Sequence, residues 1–337
     1  MTPETRIRIT NLLADAKKLN EENDYLPDRI PLPENGSWPA TFYSLQKKSL
    51  LAIIAAVATG RPLLIRGEPG VGKSHLARAA AERLGRDFIS TVVQPDDHYQ
   101  DLMWSVDHTA RLGDAQVIGH LGGDGSSPAS EVLKMENYVV PGPVWQALNP
   151  VDAKEQKNRV MNREVLKEKA EKDKKISNGS VLLIDEIDKA EMSFANGLLE
   201  VLGNGSFEAT PLSKTIKADT APLVVITTNE TRELPQAFIR RCVIHELELP
   251  KGEKLKAHLN HIGKVHFEKM SETVIAHAVD LIVTERNQTP KNSQVITGQA
   301  ELVDLLRALD NLDTNEEAQL SVCNDLASFF FKHDAQG

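Results

Sequence analysis

The sequence predicts an α/β fold: a mainly parallel sheet with helices on both faces, followed by a smaller all-helical region. Three observations predict it. Apolar runs at 62–66, 87–93, 181–185, 222–227 and 242–248 alternate with helix-like stretches, the pattern of a sheet buried on both faces. Beyond Gly252 the strand signal stops, and helical periodicity occupies about 252–268, 271–286, 299–310 and 315–332. A glycine-rich turn at 67–74 joins the first apolar run to a strong helix former that runs on to Leu84, and strand, loop, helix is the setting of a phosphate-binding loop.

Taken in order, Ile9, Leu12, Leu13, Ala16 and Leu19 make one face of a helix over 4–20, which docks on the body or on a partner. Pro27, Pro31, Pro33 and Pro39, with Asn35 and Gly36 between them, read as an extended linker. The alanine-rich run 50–58 falls short of the ~20 apolar residues of a membrane span and predicts a buried helix.

The turn reads Gly67, Glu68, Pro69, Gly70, Val71, Gly72, Lys73, Ser74, which is G-x-x-x-x-G-K-[S/T]. The glycines let successive backbone N–H groups turn inward around an anion without Cβ clashes. Lys73 is placed to reach the β- and γ-phosphates, the Ser74 hydroxyl to hold Mg²⁺, and the following helix presents its positive end.

Residues 152–178 are crowded with charge and read either as a solvated helix or mobile loop, or as a pore-facing or partner-binding insertion. The run 181–185 ends in adjacent carboxylates. An acid at a strand's C-terminal end lies on the ligand edge of such a sheet, so Asp185 is a candidate for placing Mg²⁺ and Glu186 for accepting a proton from water. Asp188 reads as a helix N-cap. The run 222–227 leads to Asn229, which either caps the next turn or holds the attacking water opposite Glu186. Arg240 and Arg241 sit where a helix runs into a strand. They are either surface ion pairers or an arginine finger for a neighbouring subunit's nucleotide. Thr314 and Glu317 have capping-box spacing at the start of the last helix.

Composition bounds the rest. A chain of 337 residues with 41% hydrophobic content suggests two domains or one with an appendage. Cys242 and Cys323 make no disulfide framework, and the N-terminal residues lack the layout of a signal peptide, which predicts a cytoplasmic protein with no membrane association. A formal charge of −9 argues against broad capture of nucleic acid or acidic lipid.

In sum, 61–74, 101–107, 138–145, 180–188 and 221–242 resemble the AAA+ ATPases, and within them the MoxR-like group related to the dynein-type subfamily. The resemblance covers about 40–310. It implies a P-loop NTPase αβα core with a five-stranded sheet over 39–250, preceded by a helix and linker at 1–38 and followed by a helical lid over 251–337. It implies ATP and Mg²⁺ as cofactors, with Walker A at 67–74, Walker B at Asp185 and Glu186, sensor 1 at Asn229 and the finger at Arg240 or Arg241. It further implies a ring, commonly a hexamer, a hairpin or helix-2 insertion facing the ring centre, made of the helix at 198–202 and the stretch 203–216, and a client or adaptor protein, such as one with a von Willebrand factor A domain. The family's basic sensor 2 residue has only Lys291 as a candidate. Two other classes compete: a nucleotide-gated binding module with little turnover, and a motor on nucleic acid, which only the 152–178 segment favours. No motif names the base, so adenine is not separated from guanine.

Overall fold

Strands end where glycine and polar side chains take over from β-branched ones, and that rule places the elements of the computed structural model. It describes residues 2–19, 24–120, 131–161, 178–289, 297–312 and 315–331. In chain order these are α1 (Pro3–Lys18), β1 (Ile30–Leu32), β2 (Thr41–Tyr43), α2 (Lys47–Thr59), β3 (Leu63–Arg66), α3 (Lys73–Leu84) and β4 (Asp87–Val92). Next come β5 (Trp104–Val106), α4 (His108–His120), β6 (Val139–Pro141), α5 (Pro143–Leu148), α6 (Pro150–Met161) and β7 (Ser180–Asp185). Then follow α7 (Met192–Asn204), β8 (Ser206–Ala209), β9 (Lys214–Lys217), β10 (Leu223–Thr228), α8 (Gln236–Ile239) and β11 (Val243–Glu246). The last helices are α9 (Glu253–His266), α10 (Glu272–Gln288), α11 (Gln299–Leu312) and α12 (Glu316–Phe330).

The five expected strands form one sheet in the order β11-β3-β10-β7-β4, with β7 parallel to both of its neighbours. β7 and β10 are buried along their whole length, as their unbroken apolar sequence requires. The chain folds as the α/β class that the sequence predicts, with a helical bundle at its C-terminal end.

The described residues cluster into two compact units. The first lies within Met1–Leu12, Ala52–Leu64 and Arg83–Ile244, the second within Leu13–Leu51, Ile65–Glu82 and His245–Gly337. In the first, Leu182, Ile184, Val224 and Ile226 of the sheet pack with Trp145, Phe194, Leu198 and Phe238. The Trp145 indole N–H, buried with its ring, donates to Asp152 at 2.9 Å. α6 covers the first part of the charged segment, and its Ala153, Gln156 and Val160 are buried, so that part is a docked helix. Residues 162–177 of the segment lie outside the described residues. β8 and β9 form an antiparallel hairpin over 206–217, ending one residue past the stretch where the resemblance implied one.

In the second unit the proline-rich stretch is extended and anchored. β1 pairs antiparallel with β2, and the Arg78 guanidinium donates to the Pro33 and Pro39 carbonyls at 2.7 and 3.0 Å. α9 to α12 bury Leu259, Ile262, Ile275, Ile282, Leu302 and Leu306 among themselves. α12 is capped by Asn315, whose side chain accepts from the Glu317 N–H at 3.0 Å. Thr314, the expected cap, lies outside the described residues.

Candidate functional site

The loop at 67–74 is shaped by three glycines with positive φ: Gly67 (148°), Gly70 (79°) and Gly72 (92°). At two of them the surroundings also forbid a side chain. A Cβ on Gly67 would meet the Leu247 carbonyl oxygen at 2.2 Å, and one on Gly70 would meet the Ala300 Cβ at 2.8 Å. Lys73 opens α3, and its buried ammonium donates to the Gly67 and Glu68 carbonyls at 2.7 and 2.9 Å. The lysine and the α3 N-terminus thus belong to the same turn, the arrangement that binds phosphate oxygens. Glu68 pairs at 2.9 Å with Arg286 near the end of α10, and Arg286 also donates to the Thr297 carbonyl at 3.1 Å. Nothing in the local sequence marked Arg286. Lys291 lies outside the described residues.

His75 follows two residues after Lys73, edge-on to Trp38 at 6.0 Å between ring centroids. Burial, then the nearby Arg78 and Arg307, push its pKa down to about 4. His266 is likewise pushed down to about 4 by burial, then by His75, Arg307 and Arg29.

At the ends of β7 and β10 the first unit brings Asp185, Glu186 and Asn229 together. Thr227, fully buried, bridges them. Its hydroxyl donates to the Asp185 carboxylate and accepts the Glu186 N–H at 2.9 Å. Glu186 has left-handed backbone, φ 59° and ψ 49°, which a non-glycine residue adopts only under constraint. Its carboxylate accepts from the Asn229 side-chain amide at 3.2 Å and pairs with Lys189 at 2.5 Å. Asn229 therefore faces Glu186 across the strand ends.

Asp188 departs from expectation. It sits inside a short 3-10 turn and caps no helix. Its carboxylate accepts from the Asn229 N–H at 3.3 Å, the Thr231 N–H at 3.0 Å and the Thr231 hydroxyl at 2.6 Å. Burial works to raise its pKa, but these hydrogen bonds outweigh it and the pKa is lowered. Beside its own backbone N–H, the buried carboxylate finds its donors in the loop after β10, which sequence spacing cannot show. Beside it, a cavity of about 540 Å³ is lined by Ile187, Met192, Arg232, Leu234 and Pro235.

Arg240 and Arg241 follow the single turn of α8, and both side chains are exposed. The Arg61 guanidinium binds the main-chain carbonyls of Arg240, Arg241 and Cys242, the last two at 3.0 Å. Arg61 and Thr227 escaped the sequence reading. Their adjacency to Gly60 and to the strand-end pair Thr227-Thr228 is the only local signal.

Among the described residues no helix is long and apolar enough to cross a membrane. No curated protein matches the chain. Solved structures similar to it include two point variants of Thermotoga maritima RuvB. Both are 15% identical over 83% of this chain, covering 68% and 67% of theirs, with TM-scores of 0.43 and 0.42. A putative ATPase from Cytophaga hutchinsonii is 14% identical, over 96% of this chain and 86% of that one, at a TM-score of 0.40. The family model described as an AAA ATPase domain matches residues 44–213, just over half of the chain, including the glycine-rich loop and the Asp185-Glu186 strand end. The chain therefore belongs to the AAA ATPase domain family.

Proposed function

We propose that this chain hydrolyses ATP to ADP and phosphate, and that the turnover remodels or activates a partner protein in the manner of the MoxR-like group. The observation that carries the reading is the Glu186–Asn229 pair. A carboxylate and a carboxamide are held 3.2 Å apart at the ends of neighbouring parallel strands, on a backbone kept in a costly conformation. Glu186 takes a proton from the attacking water and Asn229 orients that water. Lys73 and the amides of 67–74 hold the phosphates. The Ser74 hydroxyl and the Asp185 carboxylate are oxygen donors, the kind Mg²⁺ takes, and the ion neutralises charge on the β- and γ-phosphates when bound. Arg240 or Arg241 completes the nucleotide site of a neighbouring subunit in a ring, commonly a hexamer. On this reading 39–250 is the nucleotide-binding domain and 251–337 the lid, and the partner is a client or adaptor such as a von Willebrand factor A protein.

Glu186→Gln tests the core of the reading. ATP affinity should stay within about threefold while phosphate release falls at least ~100-fold, the scale of a lost general base. Unchanged phosphate release would remove Glu186 from the mechanism. Wild-type phosphate release no faster than that of protein-free ATP would favour the nucleotide-gated module.

A further inference from the structure

We infer that Arg61 is a positioning residue for the turn that carries Arg240 and Arg241, setting the direction in which those guanidinium groups leave the subunit. The proposal rests on the reading of those arginines as acting on a neighbour's nucleotide. α2 ends at Thr59, and Gly60, with a left-handed φ of 66°, follows it and leads into Arg61. α8 has one turn, and its carbonyls are bound by the N–H groups that follow: Arg241 donates to Phe238 at 3.0 Å and Cys242 to Ile239 at 3.1 Å, so the carbonyls of Arg240, Arg241 and Cys242 lie past the end of the helix. Arg61 reaches these carbonyls from another segment. Its Nε donates to the Arg241 carbonyl at 3.0 Å, and one terminal nitrogen is shared between the carbonyls of Arg240 and Cys242. The next residue joins in as well, because the Pro62 carbonyl accepts the Val243 N–H at 2.8 Å.

The turn is thus gripped through its backbone oxygens over three consecutive residues, and both arginine side chains stay exposed. A planar five-donor guanidinium can make such a grip. An ammonium is a point donor and cannot span it. Arg61 is itself exposed, so its hydrogen bonds fix a local geometry more than they hold the core.

The test is turnover in mixtures assembled from two kinds of subunit. Arg61→Ala alone should lose at least tenfold in kcat with its KM for ATP within twofold, and Arg61→Lys should fall between it and wild type. Combined with Glu186→Gln subunits, which keep an intact turn, Arg61→Ala should regain turnover well above the sum of the two separate preparations. The Arg240→Ala/Arg241→Ala double variant, combined in the same way, is the reference. Recovery with the double variant but none with Arg61→Ala overturns the proposal alone. No recovery with either overturns the trans-acting arginines and the proposal with them. Wild-type kcat in Arg61→Ala also overturns it, as does a loss confined to KM. If Arg61→Ala fails to fold, judged by loss of nucleotide binding, Arg61→Lys is read by the same mixtures and the same criteria.

Discussion

Thr227 shows how much of this site depends on an uncharged side chain. Its hydroxyl donates to Asp185 and accepts from the Glu186 N–H, so one buried group fixes both the direction of a carboxylate and the left-handed turn beneath its neighbour. Valine has the same shape without those bonds. Thr227→Val should lower the unfolding free energy by about 1–3 kcal/mol, the cost of orphaning buried hydrogen-bonding groups. It should also cut phosphate release at least tenfold by freeing Glu186. Denaturant unfolding and a phosphate assay on the same preparation check both, and unchanged turnover would show that Glu186 keeps its geometry without the hydroxyl. The loop residues, Asp185, Glu186 and Asn229 were legible because each stands in a chain-local pattern: glycine spacing, or an apolar run ending in a polar group. Thr227 and Arg61 were not, because their partners lie 42 and 180 residues away in sequence and neither residue type is unusual where it stands.

Among elements, the five strands of the main sheet were readable to within a residue or two because burial on both faces demands unbroken apolar runs, and α9 to α12 equally so through their helical periodicity, whereas α4 (His108–His120) carries no such signal. β1, β2, β5 and β6 were missed. Each has three residues, and β1 and β6 contain proline, which sequence rules read as a break. The segment joining β1 to β2 is held by Arg78 of α3, and α3 also carries His75, so this part of the second unit is sensitive to pH. His75 and His266 titrate near 4 in the fold but near 6.5 when unfolded, so the unfolded chain takes up protons first as pH falls. The stability from keeping them neutral is complete above about pH 6.5 and drains between there and about pH 4, by roughly 3 kcal/mol for one such histidine. His75 contributes to the lowering at His266, so the two losses are not additive. Unfolding midpoints should drop over that window, and His266→Asn should flatten the slope. A slope unchanged by the variant would assign the acid sensitivity to other groups.

At the scale of the whole molecule, the sequence indicated an AAA+ nucleotide machine but left the client and the ring size open, since neither is written in a motif. The proposed assembly predicts that light scattering will show a larger species with ATP than without. Phosphate release per subunit should rise with protein concentration as neighbours contribute Arg240 and Arg241. Turnover independent of concentration, in a species that stays monomeric by scattering, would place all of the hydrolytic machinery in one chain. The formal charge of −9 predicts no steeply salt-dependent affinity for DNA, which filter binding across a salt series checks. The backbone at Glu186 carries a longer consequence. A left-handed conformation costs a residue with a Cβ roughly 1–2 kcal/mol and glycine nothing. The side chain proposed to do the chemistry therefore occupies a place the fold would cede to glycine. On the proposed mechanism, a lineage released from selection for turnover should drift there toward glycine or asparagine and become sturdier as it falls silent.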